Sequence, residues 1–155
     1  MPELRIGLIS DTHGLLRAEA LAALRGSDRI VHAGDIVDPR ILDALAQIGP
    51  LTAVRGNNDH GDWARRLPET AVLEAGAVRI LVVHDLKTLP ADAAEGHQVV
   101  VSGHSHKPAI ERRDDVLYVN PGSAGPRRFR LPISLGELTV DGAKVEARLI
   151  TLQVG

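Results

Sequence analysis

The sequence predicts an α/β fold with a largely parallel sheet, from three observations. Short apolar runs at Leu4–Ile9, Arg29–Ala33 and Leu51–Val54 have the length of buried strands. Each run ends in a cluster of Asp, His or Asn: Asp11-Thr12-His13, Gly34-Asp35 and Gly56-Asn57-Asn58-Asp59-His60. Strand, polar cluster and helix follow one another in three cycles, which implies right-handed βαβ units.

The first strand is apolar with one charge, so both of its faces are expected to be buried. Leu15–Leu24 follows as a helix, with Leu16, Ala20, Leu21 and Leu24 on one stripe and Gly26-Ser27-Asp28 as its stop. After the second strand, Pro39 opens a helix to about Ile48, with Asp38 as its N-cap. The second half is richer in strands. Thr70–Leu73 and Val78–Val83 flank the turn residues Glu74–Ala77. Lys87–Glu95 reads as loop plus a short helix, and Gln98–Ser102 as a strand running into Gly103-His104-Ser105-His106. Ala109–Arg112 and Val116–Val119 form a hairpin about Asp114-Asp115, and Asn120-Pro121-Gly122-Ser123 a tight turn. Ile133–Val140 and Lys144–Leu152 pair across Asp141-Gly142. No repeat or linker interrupts residues 1–155, so one domain is expected.

Composition excludes several functions. Trp63, Tyr118 and Phe129 are the only aromatic residues, and the net charge is -2. Neither a stacking platform nor a basic footprint for nucleic acid is present, so no nucleic-acid partner is expected. Cysteine is absent, so any metal must be held by nitrogen and oxygen. Met1–Arg5 leads straight into a strand and no apolar run could span a membrane, so a cytoplasmic protein without a membrane partner is expected.

In open α/β sheets ligands gather at the carboxyl ends of strands. Asp11, His13, Asp35, Asn57, His84, His104 and His106 all fall there. Imidazole, carboxylate and one amide oxygen suit Mn, Fe, Zn, Co or Ni better than Ca or Mg. Seven ligands exceed one tetrahedral site and suffice for two ions if one carboxylate bridges. Such a pair clamps an in-line displacement at phosphorus.

Asp11-x-His13, Gly34-Asp35-x-x-Asp38, Gly56-Asn57-x-Asp59, His84 and Gly103-His104-x-His106, in this order, resemble the calcineurin-like metallophosphoesterases. The short chain and Asn120-Pro121-Gly122-Ser123 resemble the small bacterial and archaeal phosphodiesterases that share a fold with the retromer cargo-binding subunit. The resemblance implies a four-layer αββα sandwich with its site at the top edge. It implies a first ion on Asp11, His13 and His106, a second on Asn57, His84 and His104, and Asp35 as the bridge. Manganese is the favoured metal, with a bridging hydroxide as nucleophile and His104 stabilising charge on the phosphoryl oxygens. A small phosphoester is the expected substrate, and a homo-oligomer is left open.

Two positions depart from the family. Many larger relatives carry His at Asn58, paired with an acid at Asp38, to protonate the leaving group. Asp85 stands where Gly is usual, and is expected to point to solvent. Other residues keep two readings. Asp38 is a helix cap or a neighbour of the site; Asp59 shapes its loop or supports a ligand. His60 is a surface residue or a replacement acid. His32 is expected to be packed and His97 exposed. Arg127, within the cluster Arg127-Arg128-Arg130, is a solvated charge or faces substrate phosphate. A phosphodiesterase leads; a monoesterase, a nucleotide phosphatase and a non-catalytic scaffold are the alternatives.

Overall fold

A computed structural model describes residues 3–154. Met1, Pro2 and Gly155 of the expected 1–155 domain lie outside the described residues. The strands form two five-stranded sheets rather than one largely parallel sheet. The first contains β1 (Leu4–Ile9), β2 (Arg29–His32), β3 (Leu51–Ala53), β9 (Ser134–Asp141) and β10 (Lys144–Thr151), in the order β10-β9-β1-β2-β3. The second contains β4 (Thr70–Ala75), β5 (Val78–Val83), β6 (Val99–Val101), β7 (Ala109–Arg113) and β8 (Val116–Asn120), in the order β4-β5-β6-β8-β7. Three strands run parallel in each sheet, β1-β2-β3 at one side of the first and β5-β6-β8 in the middle of the second, while β9-β10, β4 and β7 pair antiparallel. The βαβ cycles were legible because they are local; the split into two sheets depends on long-range pairing that periodicity does not carry.

Alternation explains the layers. Ile6 and Leu8 of β1 face the second sheet and pack with Val31, Ile80, Val82, Val99, Val101, Val119 and Leu138, all buried. Ile9 faces the other way, into a cluster with Leu24, Ile30, Ile41 and Leu45. That outer layer holds α1 (Ala18–Leu24), α2 (Arg40–Ala46) and α3 (Asp62–Arg65). The fourth layer is thin. On the far face of the second sheet, Val100 and Leu81 are covered by a 3-10 turn at Leu86–Thr88 and by Leu89, Ala93 and Ala94.

Several boundaries shift for local reasons. α1 starts at Ala18, not Leu15, because Arg17 is extended and its guanidinium donates to the Gly125 carbonyl at 3.2 Å. The N-cap of α2 is Pro39 rather than Asp38, which lies two residues before the helix and accepts the Arg40 amide on Oδ1 at 3.0 Å. The β9–β10 turn is Gly142-Ala143, since Asp141 pairs with Lys144. His97 is half-buried rather than exposed, with Nε2 shielded from solvent.

Candidate metal centre

The strand-end loops of β1, β2, β3, β5 and β6 converge at one edge of the sandwich. Asp11 and His13 leave β1 and continue the pairing with β2's loop. The Asp11 amide donates to the Gly34 carbonyl at 3.0 Å and the His13 amide to the Asp35 carbonyl at 2.9 Å. The backbone here is bent in an uncommon way. Asp11, His13, Asp35, His104 and His106 all have positive φ, between 46° and 73°. Left-handed backbone at non-glycine residues costs energy and clusters at functional sites. It also turns both side chains of each i, i+2 pair inward.

Two glycines let the loops meet. A Cβ at Gly56 would overlap the Asp35 carboxylate, and one at Gly103 would overlap Ser10 and Asp11. The Asn120-Pro121-Gly122-Ser123 turn then braces the edge. Asn120 Nδ2 donates to the Gly103 carbonyl at 3.0 Å, and Ser123 Oγ to the Asp11 carbonyl at 3.0 Å. Asp59 is resolved as a loop-shaping residue. It is buried, and its carboxylate accepts the amides of Asp35, Ile36, Val37 and Gly56 at 2.8–3.0 Å.

Two overlapping groups of donors result. Asp11, His13 and His106 form one; Asp11, Asp35 and His84 form the other. His13 Nε2 lies 3.3 Å from His106 Nε2, and His106 Nε2 lies 3.4 Å from Asp11 Oδ1. Asp11 is common to both groups, and Asp35 Oδ2 of the second, 3.3 Å from His84 Nε2, also lies 3.6 Å from His13 Nε2 of the first. Asn57 Oδ1 faces His84 Nε2 at 3.0 Å and His104 Nδ1 at 3.2 Å. All seven sequence candidates therefore meet at this edge. His104 is the outermost, with its side chain 45 % exposed.

The donor chemistry fits a cation. Asp11 Oδ2 accepts Ser10 Oγ at 2.7 Å and the His104 amide at 3.1 Å, while the buried Oδ1 has no hydrogen-bond donor. His84 Nδ1 donates to the Ala33 carbonyl at 2.8 Å, which leaves Nε2 as the free lone pair. That lone pair points at oxygen acceptors on Asn57 and Asp35, an arrangement that needs positive charge between them, a proton or a metal ion.

Electrostatics agree. Burial opposes ionisation of Asp11 and Asp35. The neighbouring His106 and Ser10 outweigh it at Asp11, and His84 and Asn58 at Asp35, so both carboxyls lie below their usual range. Burial pulls His84 down, but Asp35 and Asp11 raise it overall. Burial lowers His13 against the pull of both carboxylates, and Arg128 pushes in the same direction as burial. His32 is packed: its Nδ1 accepts the Gly34 amide and its Nε2 donates to Thr12 Oγ1, each at 3.0 Å. Burial pushes it down to about 4.

The remaining candidates lie around this core. Asn58 donates from its backbone to Asp35 Oδ1 at 2.9 Å and from Nδ2 to Oδ2 at 3.0 Å. Asp38 is engaged by the Arg40 guanidinium at 2.7 Å. His60 lines a neighbouring depression with Gly61 and Arg65, which shares Arg55 and Asp59 with the groove beside His84 and His104. Arg127 is exposed, and within its cluster it is Arg128 whose charge acts on His13. Asp85 does not simply face solvent: Oδ1 accepts the Lys87 amide at 3.1 Å and Oδ2 lies 3.7 Å from His104 Nε2. Sequence reasoning missed the bracing by Asn120 and Ser123, although their turn was visible.

Residues 4–143 match the calcineurin-like phosphoesterase superfamily domain. A probable metallophosphoesterase of Methanocaldococcus jannaschii is 36 % identical, over 96 % of this chain and 81 % of its own length. A phosphodiesterase of the same organism is 27 % identical, over 97 % of this chain and 100 % of its own. Among solved structures, vacuolar protein sorting 29 of Cryptosporidium parvum superposes with a TM-score of 0.84 at 20 % identity, covering 97 % of this chain and 92 % of that one. With the family match over residues 4–143 taking in every loop that carries a metal-ligand candidate, the chain belongs to the calcineurin-like phosphoesterase superfamily.

Proposed function

We propose that the chain, as one domain over residues 1–155, is a phosphodiesterase that works with two divalent transition-metal ions, manganese first among them. Asp11, His13 and His106 would hold one ion, Asn57, His84 and His104 the other, and Asp35 would serve both. The observation that carries this reading is the place of Asp35 Oδ2, within 3.6 Å of His13 Nε2 and 3.3 Å of His84 Nε2. When bound, such ions act as Lewis acids on phosphoryl oxygen and lower the pKa of water.

The protein's own residues do the rest. The Asn58 amide fixes Asp35 through Oδ1, so Oδ2 stays aimed between the two imidazoles. A groove of about 350 Å³ beside Asn57, His84 and His104, walled by Arg55, Glu69 and Asp85, has room for a small phosphoester. His104 stands at its exposed rim, with Nδ1 facing Asn57 and Nε2 toward Asp85. In the reaction the oxygen of water forms the new P–O bond and the bond to the leaving alcohol breaks. One proton of that water ends on the alcohol and the other product is a monoester. Preference for a diester is supported by the phosphodiesterase among the relatives.

The test is metal analysis and a paired assay. Protein reconstituted with Mn should approach two equivalents and cleave bis-p-nitrophenyl phosphate faster than p-nitrophenyl phosphate. One equivalent at saturating Mn overturns the paired site; a preference for the monoester overturns the diester reading.

A further inference from the structure

Phe129 breaks two local rules at once. It is the only phenylalanine of the chain, and it is 89 % exposed. Its φ is +56°, a region that bulky residues rarely occupy. The loop around it is nevertheless held. The Leu131 amide donates to the Arg128 carbonyl at 3.2 Å, which sets Phe129 and Arg130 at the corner of a turn. The base is tied by Arg17 on the Gly125 carbonyl and by the Ser134 amide on the Ser123 carbonyl at 3.0 Å. Turn corners with positive φ are places for glycine or asparagine. A ring aimed at solvent there contributes nothing to the core, and departures of this kind mark functional positions.

The surroundings say what the ring would meet. Phe129, Leu131, Lys107 and Arg130 line an open recess of about 730 Å³. Lys107 directly follows His106, so the recess adjoins the group Asp11, His13 and His106. Arg128 acts from the same loop on His13. Among the described residues, none of Lys107, Arg127, Arg128 and Arg130 is in an ion pair. Three unpaired cations, Lys107 and Arg130 in the recess and Arg128 acting on His13, in a chain of net charge -2, fit an anionic ligand. The groove on the other side of the site sets Arg55 against Glu69 and Asp85 and has no such excess of positive charge.

We propose that Phe129 and these cations form a subsite for the nucleoside part of a nucleotide-type phosphodiester. The base stacks on the exposed ring, and the guanidinium groups and Lys107 hold the phosphate charge. An exposed aromatic face flanked by guanidinium groups favours a planar π-system over an alkyl chain. The proposal rests on the phosphodiesterase reading and names its substrate class.

The test compares two diesters with one leaving group, thymidine 5′-(p-nitrophenyl) phosphate and methyl p-nitrophenyl phosphate, on Mn-loaded wild type and Phe129→Ala. Phe129→Ala should lower kcat/KM for the thymidine ester by roughly 5- to 100-fold more than for the methyl ester, and Phe129→Tyr should restore the difference. In calorimetry the same variant should weaken AMP and leave glycerol 2-phosphate nearly unchanged. Equal effects on both esters and both ligands overturn the subsite. So does a change of oligomeric state in light scattering without a change in AMP affinity, which would make Phe129 a contact between copies. If wild type cleaves neither ester, the phosphodiesterase reading fails, and the AMP and glycerol 2-phosphate titrations still decide the subsite.

Discussion

Asp59 holds Asp35 in place through the main chain, accepting the Asp35 amide at 3.0 Å and, with the same carboxylate, the amides of Ile36, Val37 and Gly56. It sews the loop after β2 to the loop after β3, and so sets the separation of Asp35 from Asn57. Asp59→Ala would leave four amides without this acceptor in a buried setting. Each unsatisfied buried group costs about 1–3 kcal/mol, so a loss of about 3–5 kcal/mol is expected after partial rearrangement. Urea unfolding measures it; a loss below about 1 kcal/mol would mean the loops are held by something else.

Asp35→Asn tests the shared ligand. The substitution removes a charge that His13 and His84 both face. Even residues that only orient metal ligands are worth 10–100-fold in affinity or activity, so a loss of diesterase activity on the order of 10²-fold or more is expected. Circular dichroism should be unchanged, because the cores between the sheets and under the helices do not include this side chain. A near-native rate with two ions bound would remove Asp35 from the bridge.

Much of this centre was legible because its parts are local. A buried strand followed within a few residues by Asp-x-His or His-x-His needs no tertiary information to be seen. What could not be read was how the loops reach one another. The left-handed backbone at Asp11, His13, Asp35, His104 and His106 is uncommon even for Asp and His, which enter that region more readily than most residues, so residue type alone does not place it. The brace from Asn120 to Gly103 joins positions 17 apart, and that from Ser123 to Asp11 joins positions 112 apart. Asp85 was misjudged for the same reason. Its neighbour His104 is distant in sequence and close only through the β5–β6 pairing.

Asp85 should act on the second ion. With Oδ1 fixed by the Lys87 amide, Oδ2 lies 3.7 Å from His104 Nε2 while His104 Nδ1 faces Asn57. A proton kept on Nε2 by Asp85 leaves Nδ1 free as a ligand. Asp85→Ala should weaken the second Mn equivalent by roughly 10-fold and spare the first. Calorimetric titration separates the two; equal weakening of both, or of neither, contradicts this role.

His32 sets an acid limit on the fold. Buried and neutral, it is pushed down to about 4. An unfolded imidazole titrates near 6.5. Above pH 6.5 both states are neutral and nothing is gained or lost. As pH falls from about 6.5 to about 4, the unfolded chain takes up the proton and the folded chain does not, so stability declines by about 3 kcal/mol across that window. Below pH 4 the decline from this residue stops. His32→Phe should be less stable at pH 7.5, having lost the bonds to Gly34 and Thr12, yet fall less between pH 6.5 and 4. Denaturation midpoints of chelated protein at several pH values test this; parallel curves for the two proteins would assign the decline to other groups.

Asn58 bears on how the leaving alcohol is protonated. General-acid help is worth ~10²–10⁴ in rate and matters most for poor leaving groups. Aryl diesters leave as phenolates and need little help; alkyl diesters need a proton. Asn58 is committed to Asp35 through both its backbone and its Nδ2, and Asp38 is engaged by Arg40 at 2.7 Å. An imidazole introduced by Asn58→His would therefore lack a free carboxylate to orient it. Asn58→His alone should change the alkyl-to-aryl rate ratio little. Asn58→His with Arg40→Ala, which frees Asp38, should raise that ratio by roughly 10-fold or more if protonation is limiting. His60→Ala should change both ester classes alike, since His60 does not itself line the groove beside Asn57, His84 and His104. Metal content must match wild type in each case, because Asn58 adjoins Asn57. An unchanged ratio in the double variant, at full metal occupancy, would show that protonation of the leaving group does not limit the reaction; a selective loss of alkyl turnover in His60→Ala would make His60 its proton donor.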